Sequence, residues 1–215
     1  MDDPVMDIMA EPGQLTTTRT AGVDDYLARR RIALDAGLAD LDRQHGTIAA
    51  AADWIARVLR GGGKVLVAGN GGSAAESQHL AAELVGRFKR ERPAYAVTAL
   101  TADTAILTAI ANDYGFEHVF ARQVEALGRP GDLLIALSTS GTSANVVEAA
   151  RVARCRDVGV IAITGPEASP LARVADLVIA TAGADAATIQ EIHMVLTHLL
   201  CDMVEAELSR GVAGC

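Results

Sequence analysis

Apolar and polar positions follow two different rhythms along this chain. From Val23 to Arg60, apolar residues return every three or four positions, and Tyr26, Leu27, Ile32, Leu34, Leu38 and Leu41 form a broad stripe with charges between them. That spacing predicts helix. A break near Gly46 predicts two helices, and Gly61-Gly62-Gly63 ends the second. Helices in this place serve either as oligomer contacts or as a lid over the unit that follows, and the stripe fits both.

After Gly63 the apolar residues come in short unbroken runs, at 64–68, 94–100, 132–137, 159–163 and 176–180. Each has the length and β-branched content of a buried strand. Helical patterns separate them at 74–87, 104–111, 116–127, 143–155 and 169–174, and a last helix is predicted over 186–208. Strands alternating with helices predict an α/β fold, a doubly wound, five-stranded parallel sheet of flavodoxin-like type with added N-terminal helices. Ligands of such sheets bind at the carboxyl ends of the strands, where the strand order reverses. Residues 23–210 read as a single domain. Residues 1–22 mix Pro, Gly and Thr without periodicity and read as a flexible arm.

Composition narrows the partners. Hydrophobic residues make up 50% of the 215 positions but aromatics only 3%, so the core must be Ala, Val, Leu and Ile, as parallel strands covered by helices require. A net charge of −8 argues against nucleic-acid or anionic-membrane partners. It leaves room for a small anion held by backbone N–H groups at a helix N-terminus. Cys155, Cys201 and Cys215 are scattered and odd in number, which suggests reduced thiols in the cytoplasm. No apolar run approaches the roughly 20 residues of a membrane span, and the acidic N-terminus lacks the features of a secretory signal.

Two turns carry candidate chemistry. The first, Gly69-Asn70-Gly71-Gly72-Ser73, joins a strand to a helix. Gly69, Gly71 and Ala74 formally fit a dinucleotide fingerprint. The acidic partner expected about 20 residues on is missing, because Asp103 lies 34 residues from Gly69. The second turn, Ser138-Thr139-Ser140-Gly141-Thr142-Ser143, opens a later helix and crowds hydroxyls where helix N–H groups converge. A single cap needs one Ser or Thr, so this turn reads as a phosphate cradle without a lysine. Asn112-Asp113-Tyr114-Gly115 reads as a polar turn between two helical runs, able to meet sugar hydroxyls.

His79 and Glu83 stand four apart on one helix face, and Gln190, Glu191, His193 and His198 lie on the last helix. Imidazole and carboxylate together suit a divalent ion such as zinc. Gln190 and His198 are roughly 12 Å apart along their helix and about 80° apart around it, so both reach one ion only by stretching along the helix, and two alternatives to that stay open. His193 could replace one of them, or one could serve a neighbouring subunit. The basic run from Arg87 to Arg92 reads as solvated charge at a helix end or as a steering patch for an anion.

With GNGGSAAESQHLAAELVGRF, TAIANDYGF, GDLLIALSTSGTSANVVEAA, AITG and IQEIHMVLTHLLCDMVE in place, residues 24–207 resemble the sugar isomerase (SIS) domain family. They most resemble its branch acting on sedoheptulose 7-phosphate. The resemblance implies an aldose–ketose isomerase that forms D-glycero-D-manno-heptose 7-phosphate through an enediol. It implies a homotetramer with interface active sites and one zinc ion per subunit. The metal set it implies is His79, Glu83, Gln190 and His198, with Glu83 and His198 as the catalytic pair. Implied substrate contacts are Asn70, Gly71, Gly72, Ser73, Glu83, Asn112, Asp113, Gln190 and, for the phosphate, Ser138, Thr139, Ser140 and Ser143. His193 is left a structural role. Glu76 stands where the family usually has Asp. The alternative is a non-catalytic regulatory member of the family that binds a sugar phosphate or the replication initiator DnaA; the DnaA-binding relative lacks counterparts of Glu83 and His198.

Overall fold

The computed structural model describes residues 12–209 apart from 166, 182 and 184; of the arm, residues 1–11 lie outside the described residues. Helix α1 (Pro12–Asp42) leads into α2 (His45–Arg60), then β1 (Val65–Ala68), α3 (Gly72–Val85), β2 (Val97–Ala99) and α4 (Thr104–Tyr114). There follow a short 3-10 turn (Phe116–His118), α5 (Ala121–Leu127), β3 (Leu133–Ser138), α6 (Ala144–Cys155), β4 (Gly159–Thr164), α7 (Pro170–Val174), β5 (Leu177–Ala180) and α8 (Ala186–Ser209). All strand pairs are parallel and their order is β2-β1-β3-β4-β5. The expected doubly wound sheet is present, and its order reverses between β1 and β3.

The unbroken apolar runs are explained by burial on both faces. Val65, Val67, Leu133, Ile135, Leu137, Ile161, Ile163 and Ile179 pack with α2, α3 and α8. Their alternate neighbours Leu66, Ala68, Leu134, Ala136, Val160 and Ala162 pack with α5, α6 and α7. Successive strand residues point to opposite faces, so each must be apolar when both faces are covered.

Four boundaries differ from the expectation. Helix α1 begins at Pro12, well before the expected start at Val23, and runs through Gly13 and Gly22 without a break. Its stripe is largely outward: Leu41 is buried, but Tyr26, Leu27, Ile32 and Leu38 are exposed. Edge strand β2 keeps only Val97–Ala99 of the expected 94–100, pairing with β1 alone after Pro93. Residues 112–114 belong to the last turn of α4, not to an intervening turn, and Gly115 (φ +94°) supplies the stop. The run expected as one helix over 116–127 is divided between the 3-10 turn and α5. Among the described helices none is long and apolar enough to cross a membrane.

Candidate active site

Both turns singled out in the sequence sit at the carboxyl ends of the neighbouring strands β1 and β3, at the reversal of strand order. Gly71 takes φ +56° and ψ −119°, a conformation that favours glycine. Its carbonyl accepts the N–H groups of Ala74 (3.1 Å) and Ala75 (3.3 Å), which starts α3. In the second turn the Ser138 and Ser143 hydroxyls are 3.0 Å apart. Gly141 N–H donates to Ser138 Oγ (3.1 Å) and Thr142 N–H to Ser140 Oγ (3.2 Å). Ser143 occupies the cap position of α6, yet its side chain caps nothing. Its hydroxyl lies against that of Ser138 instead, and the first N–H groups of a helix have no partner within it, the condition under which a helix N-terminus takes an anion. Asn70 and Asn145 exchange reciprocal amide hydrogen bonds of 2.7 and 2.8 Å, fastening the two turns together.

Helices α3 and α8 pack side by side and bring His79, Glu83 and His198 into one group. His79 Nε2 lies 2.9 Å from His198 Nε2 and 3.4 Å from Glu83 Oε1. One donor atom from each residue falls within 4.8 Å of the others. Tetrahedral zinc with bonds of about 2.0–2.2 Å sets its donors roughly 3.3 Å apart. The His79–Glu83 spacing matches that figure, and the imidazoles need part only slightly. Two imidazoles, one carboxylate and partial exposure therefore fit a metal site with an open position. Phe88 stacks on the His198 ring, centroids 5.3 Å apart.

The remaining candidates separate. Gln190 lies over Gly72, where an added methyl group would come within 2.6 Å of its Oε1. This places it with the glycine turn, about 10 Å along α3 from His79. His193 is fully buried, 3.9 Å from Glu76 Oε2, and is not part of the triad. Burial pushes the Glu76 carboxyl up to about 7 and the His193 imidazole down to about 4. Glu191 is half-exposed and pairs with Arg30 of α1. Asn112 and Asp113 are exposed and hydrogen-bonded to each other at 2.7 Å.

The basic run divides: Arg87 and Lys89 are largely exposed, as solvated charge is, and Arg92 is not. The Arg92 side chain is 3% exposed and paired at 3.0 Å with Glu205, which is fully buried, while Lys89 and Arg90 pair with Asp202. Burial opposes ionisation of Glu205, but the N–H groups of Lys89, Phe88 and Arg90, with Arg92, hold its carboxyl below the usual range. Arg87 alone of the arginines in the run stays largely exposed. The available signal was weak: Glu205 stands seven residues, two helical turns, beyond His198 on α8.

The SIS domain pattern matches residues 33–165. The chain belongs to the SIS domain family. A phosphoheptose isomerase of Bradyrhizobium sp. strain ORS 278 is 47% identical over 190 residues, covering 86% of this chain and 93% of that protein. The solved phosphoheptose isomerase GmhA of Neisseria gonorrhoeae superposes with a TM-score of 0.79 at 41% identity, covering 85% of this chain and 98% of the other. For the phosphoheptose isomerase of Francisella tularensis the TM-score is 0.81 at 36% identity, with 86% and 98% covered.

Proposed function

We propose that this protein is an isomerase that converts sedoheptulose 7-phosphate to D-glycero-D-manno-heptose 7-phosphate through an enediol. The observation that carries the proposal is the grouping of a carboxylate and an imidazole, Glu83 and His198, with Glu83 on the helix that the glycine turn opens and that turn fastened to the serine turn. The same pair favours an enzyme over the non-catalytic, DnaA-binding alternative.

Ser138, Thr139, Ser140 and Ser143 hold the phosphate, and Asn70, Gly71, Gly72, Ser73 and Gln190 hold the sugar against the site. Anchoring the far end fixes the first two carbons and contributes orientation. Glu83 takes the proton from carbon, and His198 handles the second transfer or an oxygen proton. His79, Glu83 and His198 are the donors for one zinc per subunit, with Gln190 completing the set either after its side chain turns or from a neighbouring subunit. When bound, the ion supplies Lewis-acid stabilisation of the developing oxyanion. Glu83 must be free of it to act as base.

Self-association, as a homotetramer with active sites at subunit contacts, belongs to the same proposal. Leu199 and Val195 on α8 and Val85 on α3 are exposed apolar residues beside His198 and Glu83, and α1 exposes a further row. Asn112 and Asp113 then reach substrate across such a contact. A cytoplasmic site of action agrees with the free thiols of Cys155 and Cys201.

Purified protein assayed on sedoheptulose 7-phosphate, with metal analysis, tests the reading. Glu83→Gln should lower turnover about a hundredfold or more; near-normal turnover removes Glu83 as the base. No turnover with any divalent metal would overturn the assignment as an enzyme.

A further inference from the structure

Glu205 of α8 is fully buried, and its carboxylate hydrogen bonds go to one loop, residues 88–92. Oε1 accepts from Phe88 N–H (2.8 Å) and Arg92 Nε (3.0 Å). Oε2 accepts from Lys89 N–H (2.9 Å) and Arg90 N–H (3.1 Å). Three consecutive backbone N–H groups thus close around one carboxylate as an anion nest. The Arg92 guanidinium then turns back onto the end of α3. It donates to the carbonyls of Glu83 and Leu84, each at 2.8 Å, and of Gly86 at 2.9 Å. Those carbonyls have no partner within the helix itself.

Both ends of this clamp touch the candidate site. One end holds the backbone of Glu83. The other holds the backbone of Phe88, whose ring is stacked on His198 with an interplanar angle of 20°. Lys89 and Arg90 meet Asp202 at the partly exposed rim, where ion pairs contribute little. The buried part of the arrangement is directed at the two residues that must face each other across the substrate.

We propose that Glu205 and Arg92 are positioning residues that set the geometry of Glu83 and His198, with Phe88 as the contact that orients the His198 ring. The consequence for turnover rests on the isomerase reading above. The geometric claim does not. A catalytic group misplaced by about 1 Å costs about a hundredfold in rate, so a clamp of this kind acts on kcat more than on KM.

Three variants test it: Phe88→Leu, Phe88→Tyr and Glu205→Gln. The first removes the ring and leaves the Glu205 nest intact; the second keeps the ring; the third leaves a neutral amide facing three N–H groups and Arg92. His198 is followed by its long-range proton–nitrogen NMR signals in metal-free protein, and turnover is measured per folded molecule with zinc restored. Phe88→Leu and Glu205→Gln should shift the His198 ring signals in the same sense and lower kcat about tenfold or more, with KM within about threefold. Phe88→Tyr should keep both near the parent values. Parent-like His198 signals in Phe88→Leu overturn the proposal, as does kcat within about twofold in folded Glu205→Gln. If Glu205→Gln does not fold, the Phe88 pair decides. If the parent protein shows no isomerase turnover, the functional reading fails while the NMR comparison still judges the clamp.

Discussion

Replacing Glu76 by glutamine should stabilise the protein at alkaline pH and leave it nearly unchanged in mild acid. Glu76 is 4% exposed, and burial raises its carboxyl from 4.5 to about 7 against a smaller opposing pull from Ser73. Between those values the folded protein keeps a proton that the unfolded chain has released. Stability therefore falls as pH rises through this window, and the full cost is present above about 7. The interval from 4.5 to about 7 corresponds to about 3 kcal/mol. His193 slopes the other way: burial lowers it from 6.5 to about 4, so its contribution is lost as pH falls through that range. Where the windows overlap the parent profile is nearly flat, and only the difference between variant and parent isolates the carboxyl. Urea unfolding followed by far-UV circular dichroism, with chelator present and at one protein concentration, gives that difference from pH 5 to 8. The expected gap is small at pH 5 and grows to as much as about 3 kcal/mol at pH 8. A gap that does not widen, or a variant less stable than the parent at pH 8, would refute a neutral buried Glu76. It would point instead to an ionised carboxylate paired with protonated His193.

Two further outcomes follow from the site. Gly141 has φ +65°, and an added methyl group would come within 2.7 Å of Thr164 Oγ1. Gly141→Ala should therefore cost about 2 kcal/mol, or about 4–8 °C in Tm, and raise KM for the sugar phosphate; unchanged Tm and KM would show that the serine turn tolerates rearrangement. His79→Ala removes one of three clustered donors and should leave the dialysed protein without stoichiometric zinc. Gln190→Ala measured alongside separates its two roles, since zinc is lost if Gln190 is a ligand and retained, with raised KM, if it serves only the glycine turn.

Much of this architecture was legible because it is written locally. Strand runs without polar interruption announce a sheet covered on both faces, and the alternation of strand and helix leaves one chirality of connection. The glycine and serine turns advertise themselves because positive φ and helix-end anion binding each demand particular residue types within a few positions. Boundaries failed where tertiary context ruled. Asn112 and Asp113 have turn chemistry, yet α4 continues through them to Gly115. The outward face of α1 reads like core because the stripe says only that a face is apolar, not what covers it.

The amino-acid sequence by itself determined the strands, the helices, the two turns and the shared face of His79 and Glu83, since all depend on short local spacings or on unbroken runs. Only the tertiary structure decided that His198 rather than His193 meets His79, across 119 positions, and that Asn70 fastens to Asn145 across 75. It also decided that Glu205 gathers the basic loop behind the site. Such pairings join residues on separate elements, where no periodicity connects them. The histidine pairing and the Glu205 contacts are set by how α3 and α8 rotate as each buries its apolar side on one face of the sheet, while the Asn70–Asn145 pair joins the turn before α3 to α6 of the opposite face.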